Sequence, residues 1–356
     1  MSRDADPTEI GGRLDRAASH ARVPTADPVR AHGSAAMIGL AGPALAEPEA
    51  ALLERLRPAG VFLFRRNVGT PAQIAALCTA IRAAAGAGTL VAIDQEGGRV
   101  ARLRPPDFAA HPPAAAIDSA RAAWLTGAMI GLEAAALGID MVSAPVLDLA
   151  VDGADAVIGD RAYRGDPARV AALGAAMAEG LGAAGVIPVG KHVPGHGRAL
   201  ADSHLRLPEL DDLDDDDLAP FIANRTLPGL MTAHIRYRAV DPRNAATCSA
   251  AVIGGVVRGR IGFEGLLVSD DLGMQALDGT PAERAAAAIA AGCDLALYCS
   301  GALDDSRAVC LAAGGIGAAT AARLAAARAW ASRRRQPDLS LATLAAERAR
   351  LIGVAV

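Results

Sequence analysis

Residues 186–192, VIPVGKH, stay almost wholly apolar and then end in a lysine and a histidine. A strand with one buried face alternates apolar and polar residues; a continuous apolar run suits a strand buried on both faces, as in a parallel sheet. The same kind of run precedes it as AAMIGL at 35–40, GVFLF at 60–64, LVAIDQ at 90–95 and IDMVSAPV at 139–146. It recurs afterwards as GLMTAHI at 229–235, GLLVSDD at 265–271 and LALYCS at 295–300. Helix signals lie between these runs. Thr70-Pro71, Asp166-Pro167 and Thr280-Pro281 each set a capping side chain before a proline at the first helical position. Gly138, Gly185 and Gly292 follow the last apolar residue of their segments, where a left-handed C-terminal residue is expected. Eight strands alternating with helices predict an α/β fold, a (β/α)8 TIM barrel, with a doubly wound open sheet as the alternative. The alanine-rich stretches GIGAATAARLAAARAWASRRR and LSLATLAAERARLIG predict one or two closing helices. No internal repeat and no linker divides the core. Residues 1–33 are expected to form a polar N-terminal extension, and 34–356 a single barrel domain.

Composition narrows the function. With 52% hydrophobic residues in 356, the chain has ample material for a large core, although aromatics are only 3%. The net charge of −4 offers no basic field for nucleic acid. No apolar run approaches the roughly 20 residues of a membrane helix, so no membrane partner is expected. The opening stretch MSRDADPTEIGGRLDRAASH has no apolar signal-peptide core. Five cysteines, odd in number and without C-x-x-C spacing, fit reduced thiols in the cytoplasm.

In a barrel of this kind the chemistry sits at the C-terminal ends of the strands. Those ends carry Asp94-Gln95-Glu96, Asp148, Lys191-His192, His234 and Ser269-Asp270-Asp271. One such carboxylate could merely cap the following helix. Ionisable residues at five strand ends together point to an enzyme.

Three of the seven histidines fall in one loop, KHVPGHGRALADSH at 191–204. Zinc sites hold their ligands rigidly, on one helix face or across a tight knuckle. His192, His196 and His204 are spread along a glycine-containing loop, so no metal or other cofactor is expected. Asp202-Ser203-His204 suits a different chemistry. On extended backbone, residues two apart face the same side. The aspartate can then hold the imidazole by one nitrogen and leave the other to exchange a proton. Such a shuttle needs a partner at the reacting carbon, and Asp270 is the candidate.

The set IDQEGGRVARL, GDRAYRGDP, KHVPGHG…DSHLRLP, MTAHI and SDDLGM resembles glycoside hydrolase family 3, and more closely its single-domain β-N-acetylglucosaminidases of the NagZ type. The likeness runs from about residue 35 to about residue 300. It implies a retaining exo-β-N-acetylglucosaminidase, a β-N-acetylhexosaminidase that removes terminal N-acetylglucosamine from muropeptide fragments in peptidoglycan recycling. By the same resemblance Asp270 is the nucleophile of a covalent glycosyl-enzyme, and His204, assisted by Asp202, is the acid/base. Asp94, Arg102, Arg161, Lys191 and His192 hold the hydroxyls and N-acetyl group. Asp271 competes for the nucleophile's place, but consecutive strand residues point to opposite sides, and only one is expected to face the mouth. A histidine in place of the usual second carboxyl titrates near neutrality and leaves no negative charge after donating. Alternatives are an N-acetylglucosaminide phosphorylase, another family 3 β-glycosidase, a metal-dependent hydrolase or a non-catalytic sugar-binding barrel. Tyr163 stands where the family commonly has phenylalanine. The acidic run DDLDDDD at 211–217 is expected to be a solvated loop and helix start.

Overall fold

The computed structural model describes residues 33–352, so the extension expected over 1–33 lies outside them apart from Gly33. Eight strands carry the fold: β1 (Ser34–Gly39), β2 (Pro58–Leu63), β3 (Leu90–Ile93), β4 (Met141–Val142), β5 (Ile187–Val193), β6 (Gly229–Thr232), β7 (Leu266–Val268) and β8 (Ala296–Tyr298). Every neighbouring pair is parallel, in the order β7-β6-β5-β4-β3-β2-β1-β8. A parallel bridge between Val268 and Leu295 joins the two outer strands. The sheet is therefore a closed barrel and not a doubly wound open sheet. All eight apolar runs contain a barrel strand. The regular part of β4 is much shorter than IDMVSAPV because Pro145 has no N–H to give the ladder; pairing resumes at the Val146–Lys191 bridge.

Helices α1 (Glu47–Leu56), α2 (Pro71–Ala85), α3 (Ala120–Ala136), α4 (Pro167–Ala183) and α5 (Asp215–Ala223) follow the first five strands. A π-helical segment (Ala251–Arg260) follows β6, and α6 (Pro281–Ala291) and α7 (Leu303–Ala312) follow β7 and β8. The expected start signals are in place. Thr70, Asp166 and Thr280 accept hydrogen bonds from the backbone N–H three residues on, at 3.3, 2.8 and 3.3 Å. Gly292, at φ +116°, closes α6 in a conformation that a side chain would disfavour.

Continuous apolar runs were needed because both faces of each strand are buried. Met37, Phe62, Leu90, Ala92, Ile187, Val189, Leu266, Val268 and Leu297 form one cluster inside the barrel. Their neighbours Ile38, Leu63, Val91, Ile93, Leu267 and Tyr298 belong to the cluster under the helices. The period of two survives, with apolar residues in both phases.

Two closing helices complete the fold. From α8 (Ala318–Arg334), Ala327, Trp330 and Ala331 join the interior cluster, so this helix caps the barrel at the end where the strands begin. From α9 (Leu341–Ile352), Leu344 and Ala345 pack on Leu125, Ala128 and Met129 of α3. The acidic run does start a helix: Asp214 caps α5, accepting from the N–H of Asp216 at 2.9 Å. It is not solvated throughout, because Asp217 is buried.

Trp330 fills the space over Gly182, where a Cβ would come within 2.6 Å of its ring. Trp330→Ala should therefore leave a cavity under the barrel and cost about 3 kcal/mol, read as a fall in the urea midpoint at unchanged slope.

Candidate active site

The inward phase of each strand runs on past its end. Counting by twos from Leu90 and Ala92 reaches Asp94; from Ile187 and Val189, Lys191; from Leu266 and Val268, Asp270. The same step from Phe62 reaches Phe64, and from Leu297, Cys299. All five line one cleft of about 300 Å³ at the C-terminal mouth, together with Arg102, Arg161, His192 and His204. Asp202 stands behind His204.

The charges form a connected net. Lys191, almost wholly buried, places Nζ 2.8 Å from Asp94 Oδ1 and 2.6 Å from Glu96 Oε1. Arg102 donates to the other oxygen of Asp94 at 3.0 Å. Arg161 grips Glu96 through two bonds of 2.8 Å, the forked geometry that suits a guanidinium and a carboxylate. Burial opposes ionisation of Asp94 and Glu96, but these cations outweigh it. Asp94 is held below the usual carboxylate range, and Glu96 at about 2.

Arg161 also fixes a tautomer. Its Nη2 can only donate, so Nε2 of His192, 3.3 Å away, accepts. The His192 proton then sits on Nδ1 and is given to Asp148 Oδ2 at 2.6 Å. Asp148 also accepts from the backbone N–H of His196 at 2.7 Å, which ties the start of the histidine loop to the barrel.

Asp270 and Asp271 both touch the cleft, which corrects the expectation that only one would face it. Asp270 keeps the inward phase of β7, whereas Asp271 reaches the cleft from the turn that begins after β7 ends at Val268. Their surroundings differ instead. Asp271 caps a turn, its Oδ1 accepting from the N–H groups of Gly273 and Cys299 at 2.8 and 2.9 Å. Burial still prevails there and raises its pKa. Asp270 is desolvated too, but His234, His192, the Asp271 N–H and Lys191 together lower its pKa. His234 is itself fixed: Nε2 donates to the Asp271 carbonyl oxygen at 3.0 Å while Nδ1 faces Thr247 Oγ1 at 2.8 Å.

His204 Nδ1 lies 2.7 Å from Asp202 Oδ1, which also accepts the His204 backbone N–H at 2.8 Å. The dyad expected from the i, i+2 spacing is formed. Its members are the most exposed of the expected site residues, His204 at 60%. Among the described residues no group of three or more histidine, cysteine or acidic side chains is placed to hold a metal ion.

The glycosyl hydrolase family 3 N-terminal domain matches residues 33–310. The chain belongs to that family. A β-hexosaminidase of Alkalilimnicola ehrlichii is 44% identical over 281 residues, 74% of this chain and 80% of the relative. NagZ from Neisseria gonorrhoeae superposes with a TM-score of 0.71 at 32% identity, over 86% of this chain and 99% of that one. A family 3 β-N-acetylglucosaminidase from Paenibacillus gives 0.73 at 33% identity. It spans 90% of this chain, which spans only 62% of that longer protein. The chain is thus a family 3 glycosidase of the β-hexosaminidase, NagZ type.

The roles implied by the resemblance left out three groups that were visible at strand ends. Glu96 grips Lys191 and Arg161, Asp148 holds His192, and His234 donates to the Asp271 carbonyl oxygen. Phe64, Met231, Met274 and Cys299 give the cleft apolar walls. Phe64 and Cys299 carried a signal in their phase, but aromatic and thiol side chains at strand ends have no charge to draw attention. Tyr163, in the phenylalanine position, is fully buried and points its hydroxyl at Met177 Sδ, 3.0 Å away.

The depressed pKa of Glu96 has a sign that can be tested. Its folded value of about 2 lies below its unfolded value of about 4.3, so the stabilisation is complete above the latter and vanishes as pH falls through the former. Glu96→Gln should flatten that acid limb of the stability curve, on the order of 3 kcal/mol in the parent, measured by denaturant midpoints between about pH 5 and about pH 2. An unchanged limb would place the charge elsewhere.

Proposed function

We propose that this family 3 glycosidase is a retaining exo-β-N-acetylglucosaminidase that removes terminal N-acetylglucosamine from muropeptide fragments in peptidoglycan recycling. Asp270 attacks the anomeric carbon as a carboxylate, and the bond to the departing oxygen breaks as His204 gives that oxygen its proton. The neutral His204 then takes a proton from water, which attacks the glycosyl-enzyme and frees Asp270. Asp202 orients the imidazole through Nδ1. Asp94, Arg102, Arg161, Lys191 and His192 bind the hydroxyls and the N-acetyl group. The observation that carries this reading is the difference between the two neighbouring carboxyls: Asp270 is lowered and faces the cleft, while Asp271 is raised and engaged in a turn. An ionised carboxylate on the cleft floor with an Asp–His dyad at its rim is the pair of groups that retaining hydrolysis needs.

The N-acetyl group fits the same cleft, where Arg102, Arg161 and Lys191 donate beside the apolar walls of Phe64, Met231 and Met274. An uncharged sugar suits a net in which cations and carboxylates are already paired. Five thiols, all outside disulfides, suit action in a reducing cytoplasm. Among the described residues no helix is long and apolar enough to cross a membrane.

Asp270→Ala should abolish cleavage of a chromogenic N-acetylglucosaminide with the fold intact by circular dichroism; near-normal turnover would remove Asp270 as nucleophile. In the parent, a 5-fluoro N-acetylglucosaminide that stalls the intermediate should leave its mass on the peptide holding Asp270. Free N-acetylglucosamine is the expected product with and without added phosphate, and a sugar 1-phosphate would instead mark a phosphorylase.

His204→Ala should slow substrates with poor leaving groups by about a hundredfold, and good ones far less, since only the former need protonation. Equal losses on both would count against the acid role.

A further inference from the structure

The loop between β5 and α5 carries the dyad, and its attachment to the barrel is uneven. Around the dyad it alternates: Ala199, Ala201 and Ser203 are buried, while Leu200 and Leu205 are 69% and 67% exposed. Nearer its base it is tied. Arg198 reaches back to the start of α5, where Nε donates to Asp217 Oδ2 at 2.8 Å and Nη2 lies 2.9 Å from Asp214 Oδ2. Gly195 rests on the same helix turn, where a Cβ would meet that of Asp217 at 3.0 Å. Tyr237 donates its hydroxyl to the Gly195 carbonyl.

We propose that Arg198, clamped by Asp214 and Asp217 at the N-terminus of α5, is a positioning residue that sets where the Asp202–His204 dyad stands over the sugar. The proposal rests on the reading of His204 as the acid/base. Only three residues separate Arg198 from Asp202, so where the guanidinium is fixed limits how far the dyad can swing. Between them the chain is also held at Ala199, whose carbonyl oxygen accepts the Asp155 N–H at 2.8 Å, and the dyad itself is steadied by Ser203 Oγ, 2.9 Å from His196 Nε2, and by the Gln275 N–H, which donates to the His204 carbonyl oxygen at 3.3 Å.

The character of Asp217 supports a role beyond starting a helix. A helix dipole is served as well by exposed carboxylates such as Asp215 and Asp216, yet Asp217 is 5% exposed with Oδ1 unpartnered. Burial pushes its carboxyl up to about 6; Arg198 pulls it down, while Asp214 and Asp148 push it further up. The Tyr237 hydroxyl is the remaining titratable group facing it. An unfolded aspartate titrates at about 3.9, so the folded protein favours the protonated form and loses stability as pH rises through about 6. At neutral pH the charge of Asp217 therefore weighs against the fold. A charge kept at the expense of stability and aimed at Arg198 fits positioning, not support.

The experiment compares two N-acetylglucosaminides, one releasing dinitrophenol and one releasing an alkyl alcohol. Arg198→Ala should lower kcat/KM for the alkyl substrate about tenfold and leave the dinitrophenyl substrate nearly unchanged, because only the former needs a well-placed acid. Arg198→Lys should recover most of that loss. Asp217→Asn should show the same selective loss while melting at or above the parent temperature at about pH 7.5. Equal loss on both substrates in Arg198→Ala, or a lower melting temperature without selective loss in Asp217→Asn, would overturn the clamp. His204→Ala measured alongside separates the two readings. Selective loss there and none in Arg198→Ala removes the clamp alone; uniform loss in His204→Ala removes the acid/base assignment on which the clamp depends.

Discussion

Lys191 carries its ammonium to a place that water scarcely reaches, and it stays charged there because Asp94 and Glu96 close on it from two sides. An isolated ammonium at that depth would give up its proton. Each carboxylate in turn needs a second cation, which Arg102 and Arg161 supply. The five groups come from β3, β5 and the loops after β3 and β4, so no one of them can be placed without the others. The net holds the rim of the barrel in one arrangement before any sugar arrives, with its remaining donors directed at the cleft. Preorganised donors of this kind need no rearrangement when the ligand binds.

The same net sets the electrostatics of the carboxyl pair at the end of β7. Lys191 and the two histidines around Asp270 counter its desolvation, whereas at Asp271 two backbone N–H groups and His234 do not offset burial and the repulsion of its neighbour. Two adjacent aspartates thus acquire opposite tendencies from position alone. The divergence follows the general logic by which a site assigns different tasks to identical side chains.

Much of the fold was legible because of what a closed parallel barrel demands. Strands buried on both faces must be apolar in both phases, and VIPVGKH, LVAIDQ and GLLVSDD are. Proline after Thr70, Asp166 and Thr280 marked helix starts for a reason that survives any tertiary context. The length of β4 was not legible, because Pro145 interrupts the ladder inside an otherwise suitable run. At the site, the Asp202–His204 contact was visible from spacing, and the five residues that the family pattern suggested for sugar binding stand at the cleft. Glu96, Asp148 and His234 were visible only as strand-end residues; their work is to hold other side chains, and a partner brought from about 65 residues away in sequence, as Glu96 is to Arg161, leaves no local pattern. The buried member of the acidic run was concealed for a related reason. Asp217 differs from Asp215 and Asp216 only in which side of α5 it occupies.

In the proposed reaction a nucleophile and an acid have opposed requirements, and the fold offers different kinds of element for them. On that reading Asp270 is a desolvated anion aligned on one carbon, and a rigid strand end with Lys191, His192 and His234 around it suits this. The acid must approach an oxygen that belongs to whatever group is leaving, and then face the water that replaces it. A side chain locked in the barrel could not serve both steps over a variable aglycone. The exposed loop that carries Asp202 and His204 suits that part of the proposal. Histidine suits that traffic better than a second carboxyl would. It arrives with a proton, leaves neutral, and so never sets another negative charge beside the glycosyl-bearing carboxylate.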